Sequence, residues 1–262
     1  MRLLLCFVLM FITTLTNKVF AKLSIGGTYQ GKNLYIQNPK DDDGFGFCAT
    51  KVTVNGDIMP GGTASGAFEI DFSSFNIRLG EPVFIEIEHH DGCTPKILNP
   101  EVLLPRSTYK ISGINISNAG KLNWSTTGEK GKLPFIIEQF RWNKWVAIGE
   151  VEGVGTVGTN RYEFTVLPHS GENKVRVVQI DHSGEKKASK DVSFKSNVAI
   201  ITKTPAIVED FITFSAETRY EIYDAYGNIV KKGVDKSVNC MNLLKGVYYV
   251  NFDNKNEKFV KK

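Results

Sequence analysis

Four groups of residues carry side chains able to do chemistry. Asp41-Asp42-Asp43-Gly44 puts three carboxylates on a turn, the kind of oxygen-rich loop that hard cations take. It lacks the spaced D-x-D-x-D-G pattern and a closing Glu, so it reads as a solvated turn. His89-His90-Asp91 with Cys93 has zinc-ligand residue types. Adjacent histidines on a strand point to opposite faces and do not converge on one ion. Glu129, Glu138, Arg176 and Asp181 contain the acids of a general acid–base pair. They alternate with apolar residues, which places them on outer strand faces with no nucleophile beside them. His169 and His182 are isolated, and Ser170-Gly171 lacks the G-x-S-x-G elbow. No P-loop, dinucleotide glycine pattern or H-E-x-x-H occurs in the sequence. These readings give a chain that is not an enzyme, with no catalytic residue, no cofactor and no metal.

The elements that would position these residues are strands. Short alternating runs recur between Gly, Pro, Asn and Asp, among them CATKVTVNG, PVFIEIEHH, PFIIEQF and GVYYVNF. Apolar residues at i, i+2 and i+4 put one face of each run on a core. Turn signals every 8–12 residues predict sandwiches or barrels. Tyr220-Glu221-Ile222-Tyr223, then Asp224 to Asn228, then Ile229-Val230 reads as strand, turn, strand. The predicted class is all-β, with three consecutive β-sandwich-like domains. Pro100, Pro105 and Arg106 mark one boundary and the stretch from Asn197 to Pro205 the other. The pieces are 22–105, 106–195 and 196–262, the last a compact sandwich of about seven short strands.

A leader precedes them. Arg2 is followed by the uncharged run from Leu3 to Leu15, then by Val19-Phe20-Ala21. That run suits a signal-peptide core and is short for a membrane span. The sequence places cleavage between Ala21 and Lys22, with 1–21 as signal peptide and no transmembrane segment in the mature chain. Export leaves Cys48, Cys93 and Cys240 in an oxidising compartment. Cys48 and Cys93 share the first piece, each near a turn, and are paired as a disulfide; Cys240 reads as a small buried hydrophobe. The formal net charge is +4, and loss of Arg2 and Lys18 with the leader leaves +2, too near neutral to argue for a nucleic-acid partner.

The middle piece contains Leu122-Asn123-Trp124-Ser125-Thr126-Thr127-Gly128-Glu129, Phe135-Ile136-Ile137-Glu138, Trp145-Val146-Ala147-Ile148-Gly149 and Val175-Arg176-Val177-Val178-Gln179-Ile180-Asp181. Over roughly 120–194 it resembles the fibronectin type III-like or immunoglobulin-like module that precedes the sorting domain in secreted Bacteroidetes proteins. The last piece has Tyr220-Glu221-Ile222-Tyr223-Asp224, Gly227 to Val230, Leu243 to Val250 with Gly246 and Tyr248, and a tail of Lys258, Phe259, Val260, Lys261 and Lys262. It resembles the type A C-terminal sorting domain of the type IX secretion system. One departure is the opening Lys203-Thr204-Pro205-Ala206, where the family usually has a Y-P-N-P-like step. The first piece faintly resembles carboxypeptidase-regulatory-like β-sandwich modules.

The resemblance implies a non-catalytic exported protein and a surface binding or adhesion module with an unknown surface ligand. Its partners would be the type IX translocon and sortase. The alternative is a periplasmic accessory or signalling component whose C-terminal domain is retained and binds a partner protein. Within the last domain Tyr223 and Ile229 are expected in the core. Gly246 is expected at a turn, and the tail lysines as exposed charge.

Overall fold

The computed structural model describes residues 20–41 and 44–262. Among the described residues strands make up 56% and helix 3%, an all-β fold. The leader up to Val19, and Asp42 and Asp43 of the acidic turn, lie outside the described residues. Ala21 and Lys22, the expected cleavage pair, fall within β1 (Phe20–Thr28). Two compact units are present. The first comprises the described residues up to Gly26 with Lys32–Asn76 and Val83–Val102; the second comprises Gly27–Gly31, Ile77–Pro82 and Leu103–Lys262.

The first unit contains β2 (Leu34–Gln37), β3 (Ala49–Val54), β4 (Asp57–Ile58), β5 (Ala67–Ile70), β6 (Pro82–His90) and β7 (Lys96–Ile97). One sheet has the order β1-β6-β3-β4 and the other β5-β2-β7. Alternation in β6 buries Val83, Ile85, Ile87 and His89, while Phe84 is exposed. A Cys48–Cys93 disulfide, with Cα atoms 5.8 Å apart, joins the chain just before β3 to the chain just after β6. Asn38 is wholly buried and satisfied. It donates to the carbonyls of Thr63 and Ser65 and accepts from the Ala49 N–H.

The second unit holds two hydrophobic clusters. Around the first lie β8 (Lys110–Ile116), β9 (Lys121–Thr127), β10 (Phe135–Arg141), β11 (Lys144–Val151), β12 (Asn160–Thr165), β13 (Gly171–Ile180), β14 (Lys186–Ala188) and β15 (Val192–Ser196). A three-stranded sheet β12-β9-β8 and a five-stranded sheet β11-β10-β13-β14, with β15 also on β13, supply its residues. Trp124 and Leu122 share the buried face of β9, as their spacing predicts. The Trp124 ring stacks on Tyr162 at 5.2 Å and meets Phe135 edge-on at 5.7 Å.

Around the second cluster lie β16 (Lys203–Thr204), β17 (Ile207–Val208), β18 (Phe211–Tyr223), β19 (Ile229–Asn239), β20 (Gly246–Phe252) and β21 (Lys255–Lys261). They form one sheet, β16-β18-β20-β21-β17, with β19 also on β18. This differs from seven short strands: β18 has 13 residues and β19 has 11. Their register breaks between Thr213 and Thr218, where a long strand can bend. Phe214, within the break, packs its ring 5.0 Å from Phe252 of β20. Ile212 and Phe214 from one end of β18 and Ile222 from the other thereby join one apolar cluster.

Candidate functional site

The residues singled out in the last domain are placed by one hairpin and one tail. The β18–β19 hairpin turns through Asp224-Ala225-Tyr226-Gly227-Asn228. Asp224 Oδ1 accepts from the N–H groups of Tyr226 and Asn228, both at 2.9 Å. The Asn228 side chain donates to the other carboxylate oxygen at 2.9 Å. These bonds, the Asn228 side chain foremost, hold the Asp224 carboxyl below its ordinary value. Gly227 takes φ 86°, a left-handed conformation that glycine adopts without a Cβ clash. Val230 is the extra residue of a bulge, since Ile222 pairs with Lys231 and Tyr223 with Ile229.

Two expected core residues lie elsewhere. Ile229 is 47% exposed. Tyr223 is half-buried, on the face opposite buried Ile222, because neighbours in a strand point opposite ways. Its hydroxyl donates to Glu221 and accepts from Lys144 Nζ at 2.8 Å. Burial, then Glu221, pushes its pKa up.

Leu243 packs against the core, and Tyr248 stacks on Phe259 at 5.4 Å while donating to the Leu244 carbonyl. Gly246 is the first residue of β20 at φ 158°, at the extended limit, so it belongs to the strand rather than the turn. Lys258 and Lys262 are exposed, but Lys261 is buried. Lys261 shares a strand face with buried Phe259 two residues earlier, which overrides the expectation of exposed charge there.

The remaining chemistry-bearing residues are engaged structurally. Glu129, Glu138 and Asp181 are all buried rather than on open strand faces. Glu129 accepts from Thr126, from Tyr162 Oη at 2.8 Å and from the Gly155 N–H at 2.8 Å. Burial, together with Glu129, drives the Tyr162 hydroxyl up to about 12. Glu138 lies between Arg176 and Lys186, each at 2.7 Å, and the Arg176 guanidinium covers the Trp145 ring at 4.1 Å. Asp181 accepts from Ser183 and Glu185. His90 Nε2 is 3.7 Å from Asp41 Oδ2, and Cys93 is committed to its disulfide. Among the described residues no three His, Cys, Asp or Glu side chains gather to hold a metal ion. No helix there is long and apolar enough to cross a membrane.

Comparison with known sequences and structures decides what the last domain is. The pattern described as "Secretion system C-terminal sorting domain" matches residues 204–262. Residues 204–262 are a type IX secretion C-terminal sorting domain. No curated protein matches the chain. Solved structures with partial similarity include a tetra-tandem repeat in the extending region of a large adhesion protein. It is 13% identical at TM-score 0.30, over 91% of this chain and 68% of that one. The fibronectin(III)-like modules of Clostridium thermocellum CbhA are 13% identical at TM-score 0.21, over 58% and 92%. The chicken CNTN1 FN1-FN3 domains are 11% identical at TM-score 0.22, over 93% and 96%. At such scores the fold rests on the topology described above.

The sorting domain meets the preceding module through polar groups. Lys144 of β11 contacts Glu221 at 2.6 Å, and Arg219 donates to the Ile148 carbonyl at 3.2 Å. A cleft of 490 Å³ opens there, lined by Lys144, Trp145, Arg219, Tyr220 and Lys232 among others. Deeper in, Arg141 is 1% exposed and donates to Gln139 Oε1 and the Leu167 carbonyl. Its burial lowers the guanidinium pKa to about 10, which leaves it charged at neutral pH. His169, also buried, is held below its ordinary value by desolvation and by Arg141. Trp145, Ile148, Tyr220 and Glu221 lie in the strings read from the sequence, but those strings do not say that they meet across this junction, and Lys144, Arg141 and Arg219 lie outside them.

Proposed function

We propose that the chain is non-catalytic cargo of the type IX secretion system, carried across the outer membrane by residues 196–262 and acting at the cell surface as a binding or adhesion module. The observation that carries this reading is the sorting-domain match over 204–262, on a domain with its own apolar core. The pieces 22–105 and 106–195 are the passenger. The second of these is a fibronectin type III/Ig-like sandwich, a reading supported by its Trp124 core and two facing sheets. A disulfide in the first unit suits an exported chain. The acids Glu129, Glu138 and Asp181 are tied into hydrogen bonds, ion pairs and turns, which supports a non-catalytic reading.

A second reading has one observation behind it. The sorting domain is joined to its neighbour by buried Arg141 and Asp253, an arrangement suited to a domain that stays attached. In that reading the chain is a periplasmic component of the machinery and uses its retained domain to bind a partner protein. Immunoblotting of surface, outer-membrane and periplasmic fractions separates the two. A shortened surface species supports cargo. A full-length species confined to the periplasm overturns cargo in favour of the component.

A further inference from the structure

Two hairpin tips with unusual backbones meet within the second unit. The β10–β11 tip has Trp142 at φ 53° and Asn143 at φ 58°; the β20–β21 tip has Asp253 at φ 48°. A left-handed conformation is costly for a residue as bulky as Trp and persists where the surroundings enforce it. Here they do. Asp253 is 2% exposed. It accepts from the Ser170 N–H at 2.7 Å and the Ser170 hydroxyl at 2.6 Å. The carbonyl of Asp253 accepts from Arg141 Nη1 at 3.4 Å, and Asn254 Oδ1 accepts from the Trp142 N–H at 3.2 Å.

Asp253 also reaches the segment that connects the two domains. Its second oxygen accepts from the Ile201 N–H at 3.3 Å. The Ile201 side chain is part of the sorting-domain core, while Phe194 of β15 is part of the neighbouring core. Between Ser196, where β15 ends, and Ile201, residues 197–200 are exposed and outside any strand. Four residues span at most about 14 Å when extended, too little to fill a protease cleft without drawing in one of the anchored flanks. The junction is built of charges and hydrogen bonds that water can replace on opening, whereas each apolar cluster stays within its own domain.

We propose that the β20–β21 tip is a latch. Asp253 seats against Ser170 and Arg141, holds the sorting domain and its connecting segment as one body with the preceding module, and must leave before the connection can be cut. The inference goes beyond the delivery reading and depends only on the geometry of the second unit, so the two can fail separately.

The test is limited proteolysis of the folded full-length chain with a broad-specificity protease, cleavage positions being mapped by mass spectrometry. Asp253→Ala should be cut within 197–204 at least ten times faster than the unaltered chain. Lys258→Ala, at an exposed position on the same domain, should match the unaltered chain. Should Asp253→Ala fail to fold by circular dichroism, Ser170→Ala removes one latch bond from the other side and should accelerate the same cut by a smaller factor. Folded variants cut at the unaltered rate would overturn the latch. So would acceleration spread evenly over the strands of the sorting domain.

Discussion

The turn 181–185 of the middle module and the turn 224–228 of the sorting domain are built alike. In each, an Asp Oδ1 accepts from the N–H groups two and four residues on. The glycine three residues on donates its N–H to the Asp carbonyl, with φ 81° at Gly184 and 86° at Gly227. The Asp N–H bonds the carbonyl of the fifth residue in both. Only one of the two modules is a sorting domain. Asp224 and Gly227 thus build a hairpin turn that Asp181 and Gly184 build as well.

The comparison has consequences that can be measured. Phe252→Ala should cost about 3–5 kcal/mol by opening a cavity in the sorting-domain core. Hydrogen exchange should show β20 and β21 losing protection while β9 and β12 keep theirs; equal loss in both would make the two cores one. Glu129→Gln should cost about 1–3 kcal/mol, because it weakens the bonds to Tyr162 Oη and the Gly155 N–H in a buried site. Urea unfolding followed by tryptophan fluorescence reports it, and an unchanged midpoint would contradict the structural role of that acid.

Gly184→Ala and Gly227→Ala should each cost about 1–2 kcal/mol, the price of a Cβ in a left-handed turn. Stabilities that differ several-fold between the two variants would break the likeness of the turns. The smallest effect is in acid. Both Asp181 and Asp224 are held below the ordinary carboxyl value by turn bonds, the Ser183 hydroxyl foremost for one and the Asn228 side chain for the other. A depressed folded pKa means that the unfolded chain binds the proton first. Each turn thus contributes stability above the unfolded carboxyl pKa and loses it as pH falls through the lower folded one. Carboxyl titration by NMR should find both depressed; an ordinary value for either separates the turns.

Alternation made the all-β class and the inward face of β6 legible in the sequence, since period two needs only apolar letters. The same rule, applied from Ile222 or from Phe259, also places Tyr223 outside the core and covers Lys261. The expectation of a core Tyr223 is out of phase with buried Ile222. Glu129 was out of reach of any periodicity. It follows the end of β9, and its burial depends on Tyr162 and Gly155, distant in sequence. Arg141, Ser170 and Asp253 were hidden for the same reason: Arg141 is 112 residues from Asp253, and Ser170, just before β13, is 83 from it. The sorting-domain pattern was readable because its turn, bulge and tail are local features.

The account stands on residues 196–262 acting as an export signal. A fluorescent reporter with a signal peptide, fused to those residues in a cell that has the type IX system, tests this most directly. The account predicts reporter at the surface or in the medium, and reporter retained in the periplasm when the fusion is omitted. Equal periplasmic retention of both proteins would contradict it.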